Sequence, residues 1–189
     1  MPMRLYLASK SPRRQELLRL ITDDFTVVDS TFDETLIPML PPEEYVKKLA
    51  WGKASHTALT LGANDIIIGC DTVVVSPKGE IFGKPKNRAD AYRMIQELSG
   101  NTHTVITGVI LFGTMREITF SVKSHVTFYP LTDDEINEYL DTMEYTDKAG
   151  AYGIQGKGSL LCEKIDGDYF NIVGLPVSAL SRALKRFFF

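Results

Sequence analysis

The segment from Asp65 to Val75 (DIIIGCDTVVV) places the strongest constraint on the fold. It is an apolar, β-branched run that a single carboxylate, Asp71, interrupts, and such a run is typical of a buried strand. Strand-like and helix-like patterns alternate along the rest of the chain, which favours an α/β architecture. Further strands are predicted at 3–8, 25–28, 80–82, 102–112 and 117–129, helices at 12–21, 42–61 and 87–98 and from Thr132 and Pro176, and a hairpin turn at Asp166-Gly167.

Composition narrows the class of protein. The chain has 189 residues, 44% hydrophobic and 24% charged, with a formal net charge of −3. These values exclude a collagen-like, disordered or membrane-spanning chain. The length fits one compact domain over 1–189, or two closely packed lobes that share a core, without a separable linker. The charge argues against a nucleic-acid coat or a polybasic membrane binder. Cys70 and Cys162 form no CxxC pair, so we expect free thiols in a cytoplasmic protein.

Asp71 is the first residue that a plain core would not choose. A lone carboxylate in a β-branched run is costly to bury unless it is ligated, paired or hydrogen-bonded. At the end of an open-sheet strand, such a carboxylate lies where α/β proteins gather their chemistry. The alternative is that Asp71 caps a turn or lies on an edge strand.

The segment SKSPRR, residues 9–14, has the composition of an anion site. A strand, a Ser-rich turn and a helix start, with Ser11 as the predicted N-cap, direct free backbone N–H groups at one point. Ser9 adds a hydroxyl donor, and Arg13 and Arg14 add guanidinium groups that suit phosphate. The alternative is a capped helix with two solvated arginines.

Lysines and carboxylates near predicted turns form the next set of candidates. Lys53 lies beside the apolar stripe of the helix at 42–61, and Lys84 lies in the tight GKP turn. Each is equally explained as a lysine that extends its charge from an apolar surface into water. Glu34, in the acidic loop 29–41, and Asp71 offer oxygen ligands for Mg²⁺ or Mn²⁺, unless the loop carboxylates are simply solvated.

The glycine-rich segment DKAGAYGIQGKG, residues 147–158, is a candidate for close approach to a ligand. Tyr152 offers an aromatic face for stacking, and the amide of Gln155 can donate to and accept from the edge of a base. The alternative is a surface loop.

Taken together, these segments resemble the Maf family of nucleoside triphosphate pyrophosphatases over nearly the whole chain. GKP or LSG alone would mean little, but the ordered set is specific. The motifs are ASKSPRRQELL (8–18), Asp33-Glu34, KLAWGKA (48–54), GCDTVV (69–74), GKP (83–85), LSG (98–100), DKAGAYGIQG (147–156) and GLP (174–176). One departure is MEYT at 143–146, where family members often have an acidic residue followed by proline.

The resemblance implies a mixed, bent α/β sheet in two lobes around a central nucleotide-binding cleft, as in inosine triphosphatases. It also implies hydrolysis of a nucleoside triphosphate to the monophosphate and pyrophosphate with a divalent metal, Mg²⁺ or Mn²⁺. The family's proton acceptor aligns with Asp71 and its acidic loop residue with Glu34. Its phosphate-contacting residues align with Ser9, Arg13, Arg14, Lys53 and Lys84, and its substrate-sorting positions with Arg13, Thr72 and Gln155.

SPRR and GIQG are similar to the branch of the family that hydrolyses dTTP and UTP. A second interpretation is a non-enzymatic, nucleotide-binding regulator of cell division and septum formation. A third, RNA binding, is disfavoured by the net charge of −3. A homodimer is compatible with the sequence, in which Phe187, Phe188 and Phe189 either pack in an interface or complete the core.

Overall fold

The computed structural model describes residues 4–59, 62 and 65–188. Leu61, the last residue of the predicted helix 42–61, and Phe189, predicted to pack in an interface or in the core, lie outside the described residues. The strands are β1 (Leu5–Leu7), β2 (Thr26–Val27), β3 (Ile66–Val75), β4 (Ile81–Phe82), β5 (Thr102–Phe112), β6 (Glu117–Phe128) and β7 (Cys162–Asp166). The helices are α1 (Pro12–Arg19), α2 (Pro42–Ala58), α3 (Arg88–Leu98), α4 (Asp133–Asp141), α5 (Tyr169–Val173) and α6 (Val177–Phe188). Short 3₁₀ helices occupy Glu34–Leu36, Glu144–Asp147, Ala149–Ala151 and Lys157–Leu161.

The strands form a mixed sheet in the order β2-β1-β3-β5-β6-β7, with β4 paired to β3. β1 runs parallel to β2 and β3, with Leu5 opposite Ile66 and Leu7 opposite Ile68. β4 is antiparallel to β3, and β7 is antiparallel to β6. The predicted α/β class with a mixed sheet is therefore confirmed, whereas the nucleotide-binding cleft stays a prediction. Among the described helices, none has the length and apolar character needed to cross a membrane.

The chain divides into two compact units. The first comprises Met1–Asp71, Thr107–Val122 and Gly174–Phe189, and the second comprises Thr72–Ile106 and Lys123–Val173, each as far as the residues are described. The division falls inside β3, directly after Asp71. Most of the candidate residues, namely Ser9, Arg13, Arg14, Glu34, Lys53 and Asp71, consequently belong to the first unit.

In the first unit, α2 packs against β3 and β5 at a distance that only glycine permits. A Cβ at Gly69 would overlap the carbonyl oxygen of Ala50, and a Cβ at Gly108 would lie 2.7 Å from the backbone carbonyl atoms of Val46. The helix contributes small side chains to this contact, and Ala50 and Ala54 are fully buried. The short helix-to-strand distance brings the middle of α2 close to β3.

The second unit has its own core between α3, α4 and the strands around them. A buried aromatic group lies at its centre, where His103, Phe128 and Tyr152 meet edge to face. His103 Nε2 and the Tyr152 hydroxyl are 2.7 Å apart. Burial lowers the pKa of His103 to about 3, so this imidazole is neutral at physiological pH.

The predicted hairpin at Asp166-Gly167 is wrong. β7 ends at Asp166, and the chain then enters α5 instead of a second strand. The Asp168 carboxylate accepts hydrogen bonds from the backbone N–H groups of Phe170 (2.8 Å) and Asn171 (3.3 Å). These bonds satisfy donors at the start of a helix, which is why the sequence after Gly167 turns helical.

The contact between α2 and β5 can be tested with Gly108→Ala. The added methyl group meets backbone atoms of Val46, which cannot move away cheaply, so we expect a loss of about 1–3 kcal/mol of unfolding free energy. Chemical denaturation measures this loss. Gly83→Ala is the matched control because no atom lies within 4 Å of its added Cβ. Equal stability of the two variants would contradict the close packing of α2.

Candidate active site

Two carboxylates converge on one lysine in the first unit. Lys53 Nζ donates to Asp71 Oδ1 and lies 2.9 Å from Glu34 Oε1. The side chains of Lys53 and Asp71 are largely buried, with 16% and 14% exposed, whereas that of Glu34 is 54% exposed. A paired, half-buried Asp71 at a strand position fits the functional interpretation better than a turn cap.

Three different elements supply these side chains. Lys53 lies in α2, three residues after Ala50, whose carbonyl oxygen lies close to Gly69. Asp71 follows five fully buried residues of β3 and is the first residue of that strand with partial exposure. Glu34 begins a 3₁₀ helix whose N-cap is Asp33, because the Asp33 carboxylate accepts from the backbone N–H (3.0 Å) and the hydroxyl (2.6 Å) of Thr35.

The carboxylates hold the lysine in its charged form. Burial by itself would lower the pKa of Lys53, but the charge of Asp71 and the hydrogen bonds to Asp71 and Glu34 outweigh burial and the repulsion of Arg14. The pKa of Lys53 is consequently raised. Lys53 is therefore an ammonium group at neutral pH, suited to bind phosphate and unsuited to act as a base.

Tyr45, on α2, is a neighbour of this group that the sequence motifs do not identify. Burial raises its pKa, and the negative charges of Asp71 and Glu34 add to the rise. Its hydroxyl therefore stays protonated at neutral pH. Only the helical pattern of α2 could have brought Tyr45 to attention, because no motif quoted above includes it.

The segment with Ser9 and Arg14 brings a second cation close to Lys53. Arg14 Nη1 donates to Ser9 Oγ (3.3 Å), and Arg14 Nε donates to the carbonyl oxygen of Gly174 (2.9 Å). Arg14 is thus held in place, contrary to the solvated alternative. Arg13 lies half-buried in the first turn of α1. Ser11 is the N-cap of α1 and Pro12 its first residue, as predicted, but the Ser11 side chain makes no capping hydrogen bond, and Ser9 Oγ accepts from the Ser11 N–H (3.3 Å).

Thr72, Lys84 and Gln155 belong to the second unit. Thr72 is half-buried in β3 next to Asp71, while Lys84 and Gln155 are exposed, one between β4 and α3 and the other in the glycine-rich segment. The prediction that Tyr152 offers a stacking face is wrong. Only 5% of Tyr152 is exposed, because its ring packs on Phe128 and His103 in the core.

Glu144 gives the glycine-rich segment its shape. Its carboxylate accepts hydrogen bonds from the backbone N–H groups of Lys157 (3.0 Å) and Gly158 (3.4 Å). A Cβ at Gly156 would overlap that carboxylate. At MEYT the acidic group is thus present and holds the backbone of the glycine-rich segment, although no proline follows it.

The donor set of Glu34 and Asp71 fits a hard divalent cation. Mg²⁺ typically binds one or two protein carboxylates and takes its other oxygens from water and substrate phosphates. The two carboxylates already meet at a common cation, the ammonium group of Lys53. Within residues 4–59, 62 and 65–188, no group of three or more His, Cys, Asp and Glu side chains is arranged for a metal. The two carboxylates therefore match the number of protein ligands that such a cation commonly uses.

Comparison with known proteins shows the family of the chain. The family model described as "Maf-like protein" matches residues 4–187. A dTTP/UTP pyrophosphatase of Bacillus velezensis is 48% identical over 187 residues, covering 99% of this chain and 98% of its own. A dTTP/UTP pyrophosphatase of Bacillus cereus is 45% identical over 184 residues, covering 97% and 95%.

A solved structure supports the fold. The Ham1 protein of Staphylococcus aureus superposes with a TM-score of 0.58 at 13% identity, covering 97% of this chain and 99% of that one. At this identity the likeness concerns the arrangement of helices and strands alone.

The electrostatic account of Lys53 predicts the effect of Asp71→Asn on that lysine. With the Asp71 charge removed, burial and the nearby Arg14 charge act with less opposition, so the pKa of Lys53 falls. The pH dependence of Lys53 acylation, followed by mass spectrometry without added metal, measures this fall. Lys47, which pairs with Glu44 on the surface, is the internal control. An unchanged profile for Lys53 would contradict the pairing.

Proposed function

The chain belongs to the Maf family, and from this premise we propose that it is a nucleoside triphosphate pyrophosphatase that cleaves dTTP and UTP. The products are the nucleoside monophosphate and pyrophosphate. The observation that carries the proposal is the convergence of Glu34 and Asp71 on Lys53, beside Ser9 and Arg14. The names of the relatives at 45–48% identity support the reaction and the pyrimidine substrates.

Water attacks the α-phosphorus, and Asp71 takes its proton. The new P–O bond forms as the bond from the α-phosphorus to the bridging oxygen breaks, and pyrophosphate leaves with that electron pair. Lys53 engages Asp71 Oδ1, so we assign the base to Oδ2. Glu34 and Asp71 would hold Mg²⁺ or Mn²⁺, which supplies neutralisation of phosphate charge when bound.

Cationic and polar side chains bind the rest of the substrate in this proposal. Ser9, Arg13 and Arg14 offer hydroxyl and guanidinium donors to phosphate oxygens, and Lys53 and Lys84 offer ammonium groups. The family resemblance assigns base selection to Arg13, Thr72 and Gln155. The amide of Gln155 can pair with the O4 and N3–H edge of uracil or thymine, which cytosine does not present. The homodimer and the cytoplasmic location remain predictions.

Pyrophosphate release with Mg²⁺ or Mn²⁺ tests the reaction and the role of Asp71 together. We expect selective hydrolysis of dTTP and UTP from a panel that also holds CTP, dATP, GTP, ITP and 7-methyl-GTP. Asp71→Asn should lower turnover by about 10²- to 10⁴-fold, because the base is lost, while nucleotide still binds. Asp134→Asn, at an exposed position of α4, is the matched control with ordinary activity.

Three results would change the account. Normal turnover by Asp71→Asn would remove that residue from the mechanism. Selectivity for another nucleotide would keep the reaction and overturn the roles of Arg13, Thr72 and Gln155. No hydrolysis of any nucleotide by folded, metal-supplied protein would favour the nucleotide-binding regulator instead.

A further inference from the structure

Each of the three residues before the Asp33 cap contacts α2, at Lys53, His56 and Gly52 respectively. Ser30 Oγ donates to the carbonyl oxygen of Lys53 (3.2 Å). The Thr31 hydroxyl lies 2.8 Å from His56 Nε2. The Phe32 ring lies against the backbone of Gly52, the residue just before Lys53. We call residues 30–32 the loop anchor.

The contact between Phe32 and Gly52 requires glycine. A Cβ at position 52 would overlap Cε1 and Cζ of the Phe32 ring and would lie 2.8 Å from Cδ1. Any larger residue at position 52 must therefore push the ring away from α2. Gly52 lies in the interior of the 17-residue helix α2, and glycine in a helix interior normally lowers the stability of the helix. The space for the Phe32 ring gives this glycine a physical reason.

The loop anchor lies immediately before the carboxylate that reaches Lys53. Two residues after Phe32, Glu34 opens the 3₁₀ helix and places Oε1 2.9 Å from Lys53 Nζ. More than half of the Glu34 side chain is exposed, and an ion pair with an exposed partner contributes little by itself. The position of Glu34 therefore depends on how the preceding backbone is held.

We propose that Phe32, packed on Gly52, is a positioning residue that holds Glu34 at the Lys53–Asp71 pair. This inference rests on the proposed function, since it assigns a role within the same site. Phe32 acts through Glu34 and is not itself a catalytic residue. Loss of the ring contact frees the loop. The carboxylate of Glu34 then occupies its position beside Lys53 and Asp71, where it would bind a metal ion, for a smaller fraction of the time.

Double-mutant kinetics test the ring contact. Phe32→Ala and Gly52→Ala should each lower kcat/KM for dTTP by about 10- to 100-fold, the range typical of residues that orient a metal-binding group. Because Gly52→Ala acts by displacing the ring, it should have no further effect in a Phe32→Ala background. Met39→Ala, in the same loop but 75% exposed, is the matched control and should keep ordinary activity.

A second cycle tests the route through Glu34. Glu34→Gln should lower kcat/KM, and Phe32→Ala should add no further loss in that background. Losses that multiply in either cycle would overturn the proposal, as would ordinary activity of Phe32→Ala. If Phe32→Ala does not fold by circular dichroism, Phe32→Leu takes its place with the same expected order of effects.

Limited proteolysis without metal or nucleotide provides a readout that does not depend on activity. Phe32→Ala and Gly52→Ala should speed cleavage within residues 29–41, whereas Glu34→Gln and Met39→Ala should not. Equal cleavage rates in all variants would overturn the anchor. If the wild-type protein hydrolyses no nucleotide, the proposed function fails, and the proteolysis pattern still decides whether Phe32 holds the loop.

Discussion

The ammonium group of Lys53 is the interaction on which the site depends. It contacts Asp71 on β3 and Glu34 on the acidic loop, so one cation pairs with two carboxylates that lie 37 residues apart in the chain (71 − 34). The lysine reaches them because α2 lies against the strands at Gly69 and Gly108, where a side chain would collide with the helix backbone. Two glycines in the sheet thus set the position of the charge that organises the site.

The balance of charges explains why the arrangement suits phosphate chemistry. Burial alone would lower the pKa of this lysine, but the two carboxylates outweigh burial, raise the pKa and keep the lysine charged. A phosphate group can then bind the ammonium group of Lys53 in place of a carboxylate, and Arg14 and Ser9, which are held beside it, offer further donors. The cost of burying the charges is met in advance by the fold, which is how a preorganised site stabilises charge in a transition state.

The sequence predicts much of this fold and identifies the residues of the site without their geometry. The apolar run at 65–75 and the helix patterns at 87–98 and from Thr132 are local signals, and β3, α3 and α4 are confirmed. Family membership follows from the ordered motifs, and the comparisons confirm it. By contrast, the Lys53–Asp71 pair joins positions whose separate alternatives were equally reasonable. Only the packing of α2 on β3 decides between them.

The wrong predictions arise where one local sequence pattern is compatible with two structures. The glycines around Tyr152 in the sequence predict a ring that stacks on a ligand, but the Tyr152 ring packs against Phe128 in the core. Asp166-Gly167 resembles a hairpin turn, yet the carboxylate of Asp168 caps a helix. The contact between Phe32 and Gly52 has no local signal in the sequence, because it joins a loop to a helix 20 residues away (52 − 32). Contacts distant in sequence decide the positions of Tyr152 and Phe32, whereas a local helix cap decides the structure after Gly167.

Hydrolysis of UTP in ¹⁸O-labelled water is the most direct test of the central claim, that this site directs water to the α-phosphorus. The account predicts that the label enters the monophosphate and that the released pyrophosphate carries none. Label in pyrophosphate, or release of inorganic phosphate in place of pyrophosphate, would contradict it.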